Sequence, residues 1–189
     1  MKNAYSYIKE NIRKNIKGKM IAWRRQNVIT KLEKPTDIGR ARNLGYKDIK
    51  GFIVARVRVN RGGRKRHRVN RARKSGKQTV RKVLKMNYRW VAEYRAGRKY
   101  RNLEVLNSYL IGKDGVHYFF EVILVDPERQ EIKNLMPWLS NKKNNNRVLR
   151  GLTSAGKKSR GDAIQSKELR AWSRGQCQSI FSSYKQKES

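Results

Sequence analysis

The stretch from Arg61 to Lys82 reads RGGRKRHRVNRARKSGKQTVRK, with eleven Lys or Arg in twenty-two positions and no acidic residue. Its only apolar side chains are Val69, Ala72 and Val80. That is too little surface to offset the entropy of ordering a chain, and like charges repel along it. Such a run takes a shape only where a polyanion neutralises it. A blander reading is a basic tail or localisation signal. Against that, the run is internal and lies between two patterned segments.

The rest of the composition points the same way. Lys plus Arg number 48 and Asp plus Glu 14, a net charge of +34 over 189 residues. From Ile49 to Ala92 there are sixteen basic residues and no acid. A field of one sign at that density indicates nucleic acid before an anionic membrane. No apolar run approaches the roughly 20 residues of a spanning helix. The N-terminus has no secretory apolar region, and Glu10, Tyr5 and Tyr7 argue against a transit peptide. Cys177 is the single cysteine, so no disulfide framework or cysteine zinc site is expected, and a reducing cytoplasm fits.

Along the chain, Tyr5, Ile8, Ile12 and Ile16 recur at helical spacing. Gly18 is expected to interrupt, with a second short helix through Met20 and Trp23. Trp23, beside Arg24 and Arg25, reads as a core anchor or as a ring for stacking on a base. Asn27 to Glu33 reads as extended and is ended by Pro35. Pro35-Thr36-Asp37 offers capping for a short helix through Arg40 and Arg42, stopped at Gly45. Phe52 to Val59, FIVARVRV, is a strand whose clean apolar face is Ile53, Ala55, Val57 and Val59. Arg56 and Arg58 are then expected on the outside. A helix is expected from Thr79 to about Ala96, striped by Val80, Val83, Leu84, Tyr88 and Val91, with Gly97 as its cap. Leu103 to Ile111 and Val116 to Val125 are strands joined through Lys113-Asp114-Gly115, a hairpin signal. VHYFFEVILVD is the most apolar segment and belongs at the centre, covered on at least part of both faces. Trp138 and Leu139 are expected to tack the following segment onto the core.

Catalytic signals are sparse. His117 lies in a strand with no second histidine or cysteine to complete a metal set. Glu121 and Asp126 are five residues apart, which puts them on opposite faces of an ideal strand. Glu121 is expected to pair with an Arg or to face solvent. Gly151 to Lys158, GLTSAGKK, approaches the phosphate loop GxxxxGK[ST] but has Lys158 where the magnesium-binding hydroxyl should stand, and no buried strand precedes it. The same small residues would let backbone N–H groups approach nucleic-acid phosphates, with Arg150, Lys157, Lys158 and Arg160 supplying charge. Arg40, Arg42 and Lys47 flank Tyr46, which reads equally as a stacking ring or as core. Arg95, Arg98, Lys99 and Arg101 mark the exit of the long helix.

Five ordered blocks carry a resemblance: RARNLGYK from Arg40, VARVRVNRGGRKR from Val54, AEYRAGRKY from Ala92, EVLNSYLIGKDGVHYFFEVILVDP from Glu104, and RGLTSAGKKSRG from Arg150. Together, over about Tyr5 to Gly161, they resemble the archaeal–eukaryotic large-subunit ribosomal protein family L-fifteen-e. The resemblance implies an α+β fold, a small antiparallel sheet packed with helices, plus long basic extended segments buried in ribosomal RNA. It implies a structural constituent of the large subunit, cytoplasmic, with no catalytic residues, cofactor or metal, and with large-subunit rRNA and neighbouring ribosomal proteins as partners. No membrane or homo-oligomer is expected. Residues 1–161 would form the ribosomal domain, 61–78 its internal basic arm, and 162–189 a divergent tail.

Expected RNA contacts are Arg40, Arg42, Lys47, Arg56, Arg58, Arg61, Arg64, Lys65, Arg66, Arg68, Arg71, Arg73, Lys74, Lys77, Arg81, Arg98, Arg150, Lys157, Lys158 and Arg160. The sequence departs from the family at Asp48-Ile49-Lys50, which replaces a more basic triplet, and after Gly161, where five basic residues face three acidic ones. The rival functions are an RNA-processing enzyme using Glu121, Asp126 and His117, and a DNA-compacting protein.

Overall fold

The most apolar segment of the sequence is the strand that holds the sheet together. In the computed structural model, which describes residues 3–63 and 84–161, β4 (His117–Val125) pairs antiparallel with β2 (Phe52–Asn60) on one side and β3 (Glu104–Lys113) on the other. β1 (Ile29–Leu32) adds to the outer edge of β2, giving the order β1-β2-β4-β3. All seven residues from Phe119 to Val125 are buried, as a strand paired on both edges and covered on both faces must be. Asp114 makes the hairpin turn between β3 and β4: its carboxylate accepts the N–H groups of Val116 and His117 at 2.7 and 2.5 Å.

Strand alternation divides the core in two. On one face Ala55, Val57 and Val59 of β2 meet Phe120, Val122 and Leu124 of β4, covered by Ala92 and Ala96 of α3 (Tyr88–Lys99). On the other face lie Val54, Phe119, Ile123 and Tyr109, covered by α1 (Ala4–Arg25) and by Ala41 of α2 (Ile38–Asn43). α4 (Gln130–Leu135) closes the Val125 end through Ile132, joined by Leu139 of the segment that follows the helix. A 3-10 turn, Lys142–Asn144, leads on to α5 (Ser154–Arg160). This is the expected α+β architecture. The long basic extended segments lie outside the described residues.

Four expectations need correction. α1 runs unbroken through Gly18, because Ile16, Met20 and Trp23 continue one stripe that packs on Phe119. α3 begins at Tyr88, not Thr79. Lys85 has φ +52°, a left-handed conformation no helix admits, and the Asn87 side chain then caps the helix by accepting from Trp90 N–H at 2.7 Å. Leu84 is exposed, and the earlier part of the expected helix lies outside the described residues. Gly97 is inside α3 rather than its cap: a Cβ there would stand 2.7 Å from Val148 Cγ1, so the glycine lets the Val148 segment pack against the helix. Leu139 does anchor its segment, but Trp138 stays 43% exposed.

The readings around α2 hold. Asp37 caps α2 by accepting from Arg40 N–H at 2.9 Å. Gly45, at φ +97°, ends it, with Tyr46 N–H returning to Ala41 O at 3.0 Å.

Candidate nucleic-acid interface

The fold sorts the charges before any ligand is considered. Among the described residues Glu93, Glu104 and Glu121 are buried, whereas most of the Lys and Arg side chains are exposed. Each buried carboxylate is met by donors. Glu93 accepts from Ser108 Oγ and, at 2.6 Å, from Thr153 Oγ1, with Arg89 Nε 3.7 Å away. Burial pushes its carboxyl up, against the pull of those hydroxyls and of Arg89 and Arg147. Glu104 accepts from Asn146 N–H at 2.6 Å. Glu121 accepts from Thr36 N–H at 3.1 Å, from the Thr36 hydroxyl and from the Tyr109 hydroxyl. Burial pushes it up as well, and it pushes the Tyr109 phenol up beside it. Glu121 therefore neither faces solvent nor takes an Arg as its main partner.

Arg56 is the site residue that the structure removes from the surface. It sits across from Glu121 in the β2–β4 register and is 8% exposed. Its guanidinium lies 4.3 Å from the Trp23 ring centroid and donates to Gln26 Oε1. Alternation does keep Arg56 off the clean apolar face, but α1 covers the face on which it stands. Trp23 and Tyr46, each 7% exposed, are core residues. Arg58, one pleat further on, is half-buried and donates to Arg24 O.

The remaining basic side chains fall into groups. Arg40, Arg42 and Lys47 are exposed on and after α2, and Arg40 is braced by a 2.7 Å bond to Leu110 O. At the hairpin end, Arg24 Nε meets the Asp114 carboxylate at 2.7 Å and Arg61 donates to Asp114 O at 2.6 Å. Burial raises the Asp114 carboxyl, but the N–H groups of His117 and Val116 and the Arg24 guanidinium outweigh it and hold it at about 2. Gly62 exchanges two hydrogen bonds with the Tyr88 hydroxyl, at 3.0 and 3.1 Å, so the two flanks of residues 64–83 lie side by side. Arg95, Arg98, Lys99 and Arg101 are exposed at the end of α3, and Lys99 donates to Ile29 O at 3.0 Å. Arg150, Lys157, Lys158 and Arg160 are exposed around α5. Arg64, Lys65, Arg66, Arg68, Arg71, Arg73, Lys74, Lys77 and Arg81 lie outside the described residues.

The phosphate-loop likeness has a packing explanation. A Cβ on Gly156 would stand 2.6 Å from the Gly151 backbone, so the two glycines of the motif are pressed together. Thr153 caps α5 by accepting from Gly156 N–H at 3.2 Å. The N–H that a phosphate would need is already used, and irregular chain rather than a strand precedes the motif. The nuclease constellation does not converge either. His117 and Glu121 are four residues apart along β4, about 13 Å at roughly 3.3 Å per residue. Asp126 lies past the strand's end, accepting from Glu128 N–H at 3.1 Å.

A family model described as Ribosomal L15 matches residues 1–178. The chain belongs to this family, in its L-fifteen-e form. An L15-family chain is a structural protein of the large ribosomal subunit, a ribonucleoprotein component in translation, and it is cytoplasmic. Its setting is a particle of rRNA and other ribosomal proteins. The match continues past Gly161, where the recognisable blocks of the sequence stop. Within this L15-family fold the blocks are the sheet and its fastenings. One is α2 with its glycine stop, one is β2, one is the second half of α3, one is the β3–β4 hairpin, and the last is α5. Among the described residues no helix is long and apolar enough to cross a membrane, and no group of three or more acids, His or Cys is placed to hold a metal ion.

Proposed function

We propose that this protein binds and stabilises packed large-subunit rRNA by charge neutralisation. Arg40, Arg42, Lys47, Arg58, Arg61, Arg98, Arg150, Lys157, Lys158 and Arg160 displace counterions where RNA backbones come close, and the four-stranded sheet fixes their spacing. Residues 61–78 act as an internal basic arm of the domain 1–161, adding Arg64, Lys65, Arg66, Arg68, Arg71, Arg73, Lys74 and Lys77, with Arg81 just beyond. Residues 162–189 are a tail whose sequence diverges from the blocks before it. The observation that carries this reading is the sorting of charge: among the described residues three carboxylates are satisfied inside the fold, while most of the basic groups stand outside it. Such a surface reads shape and phosphate rather than base sequence.

Binding of the full chain to large-subunit rRNA, with Arg40, Arg42 and Lys47 together replaced by Gln, tests it. Affinity should fall uniformly across RNA sequences. The slope of log affinity against log salt should shrink by about one unit for each phosphate no longer neutralised. An unchanged slope would remove this face from the interface.

A further inference from the structure

The expected interface does not include Trp138, yet the fold presents it. A cleft of about 410 Å³ opens between the end of α2, the start of β3 and the segment before α5. Leu44 and Leu106 give it apolar walls, and Asn107, Trp138, Arg147 and Lys157 also line it. None of the described residues that line it is acidic.

Trp138 is 43% exposed, a large apolar surface left beside a cleft with room for a ligand. Its indole is backed by the Arg147 guanidinium, 4.7 Å from the ring centroid. Arg147 is itself held by a 3.3 Å bond to Val105 O, and the Trp138 carbonyl accepts from the Asn144 amide. The cation behind the ring and the backbone that carries the ring are therefore each tied down by a hydrogen bond. Asn107 Oδ1 is taken by Arg89 and by Ser108 N–H, which leaves its amide N–H groups as donors. Lys157 is an exposed cation on the lining. An exposed aromatic face backed by a cation, side-chain donors and a second cation around one cleft match the three parts of a nucleotide: base face, base edge and phosphate.

We propose that this cleft receives a single unstacked nucleotide of the bound RNA, its base lying on Trp138 and its phosphate beside Lys157. The proposal rests on the rRNA-binding reading above and adds a local preference for unpaired RNA that charge alone does not supply.

The test compares the full chain and two variants, Trp138→Ala and Trp138→Leu, on two probes: a short oligouridylate and a duplex RNA of the same length. Leu keeps an apolar cover over Arg147 but offers no aromatic face, so it serves if the Ala variant folds poorly. Both variants should lose about tenfold in affinity for the single strand and little for the duplex. Trp138→Phe should restore most of the loss, and the salt slope should stay at the wild-type value. Equal loss on both probes, or no loss on either, overturns the nucleotide site; no loss leaves the cleft to a protein neighbour or to solvent. Flat salt dependence of the wild-type protein on both probes would instead defeat the wider rRNA reading, so the two failures are distinguishable.

Discussion

At the scale of single residues, the buried carboxylates set the chemistry of the core. Glu93 joins α3, β3 and the cap of α5, because Ser108 and Thr153 both donate to it. Glu93→Ala leaves two hydroxyls and the Arg89 guanidinium short of an acceptor. It should cost about 3 kcal/mol in a denaturant melt. A loss within the range of an ordinary surface substitution would mean the network contributes nothing.

The same burial gives a pH dependence with a definite sign. Glu93 and Glu121 have folded pKa values raised above the ordinary 4.5, so the folded state holds their protons more tightly than the unfolded chain does. Their contribution is fully present below that value and is lost as pH rises through the folded pKa values. Asp114, held at about 2, acts in the opposite sense: its contribution is present above the ordinary 3.8 and is lost as pH falls toward 2. Thermal melts should therefore show stability declining above about pH 4.5, and Glu121→Gln should flatten that decline. A variant that keeps the wild-type slope would show that Glu121 has no part in it. Alternation along β2 and β4 is enough to put Arg56 and Glu121 on one face. It does not tell that α1 and the Thr36 loop close over them, since that depends on packing between segments distant in sequence.

At the scale of elements, the strands and the hairpin are legible because period-two apolar runs and Asp-Gly turn chemistry are local signals. Helix boundaries are less so. The apolar stripe from Val80 to Val91 runs across the true start of α3, and only the Asn87 cap and the backbone at Lys85 decide it. Gly97 reads as a stop because a glycine near a helix end usually is one. Its actual partner, Val148, is far away in the chain. Alanine in a helix normally gains up to ~1 kcal/mol over glycine. At position 97 the overpacking term should win, for a net loss of about 1 kcal/mol. Val148→Ala should relieve that loss in a double-mutant cycle on thermal stability. A stabilised Gly97→Ala would show that the two segments do not pack closely.

At the scale of the whole molecule, composition alone makes the class of partner legible: a net charge of +34 has few uses besides a polyanion. The candidate interface is only partly legible. Arg40, Arg42, Lys47, Arg98 and the basic residues around α5 are exposed, whereas Arg56 is not, and Trp138, which reads as a core residue, is partly exposed. Exposure depends on which face a helix covers, and no local pattern encodes that. The four-stranded sheet sets the spacing of the exposed cations, which is what the proposed rRNA-binding reading asks of it.

The most direct measurement is the affinity of the full chain for large-subunit rRNA across a salt series. Charge neutralisation predicts a straight line of log affinity against log salt with a slope on the order of −5 or steeper, since each neutralised phosphate contributes roughly 0.7 to 0.9. A line close to horizontal would contradict it, because the protein would then be held by something other than its cations.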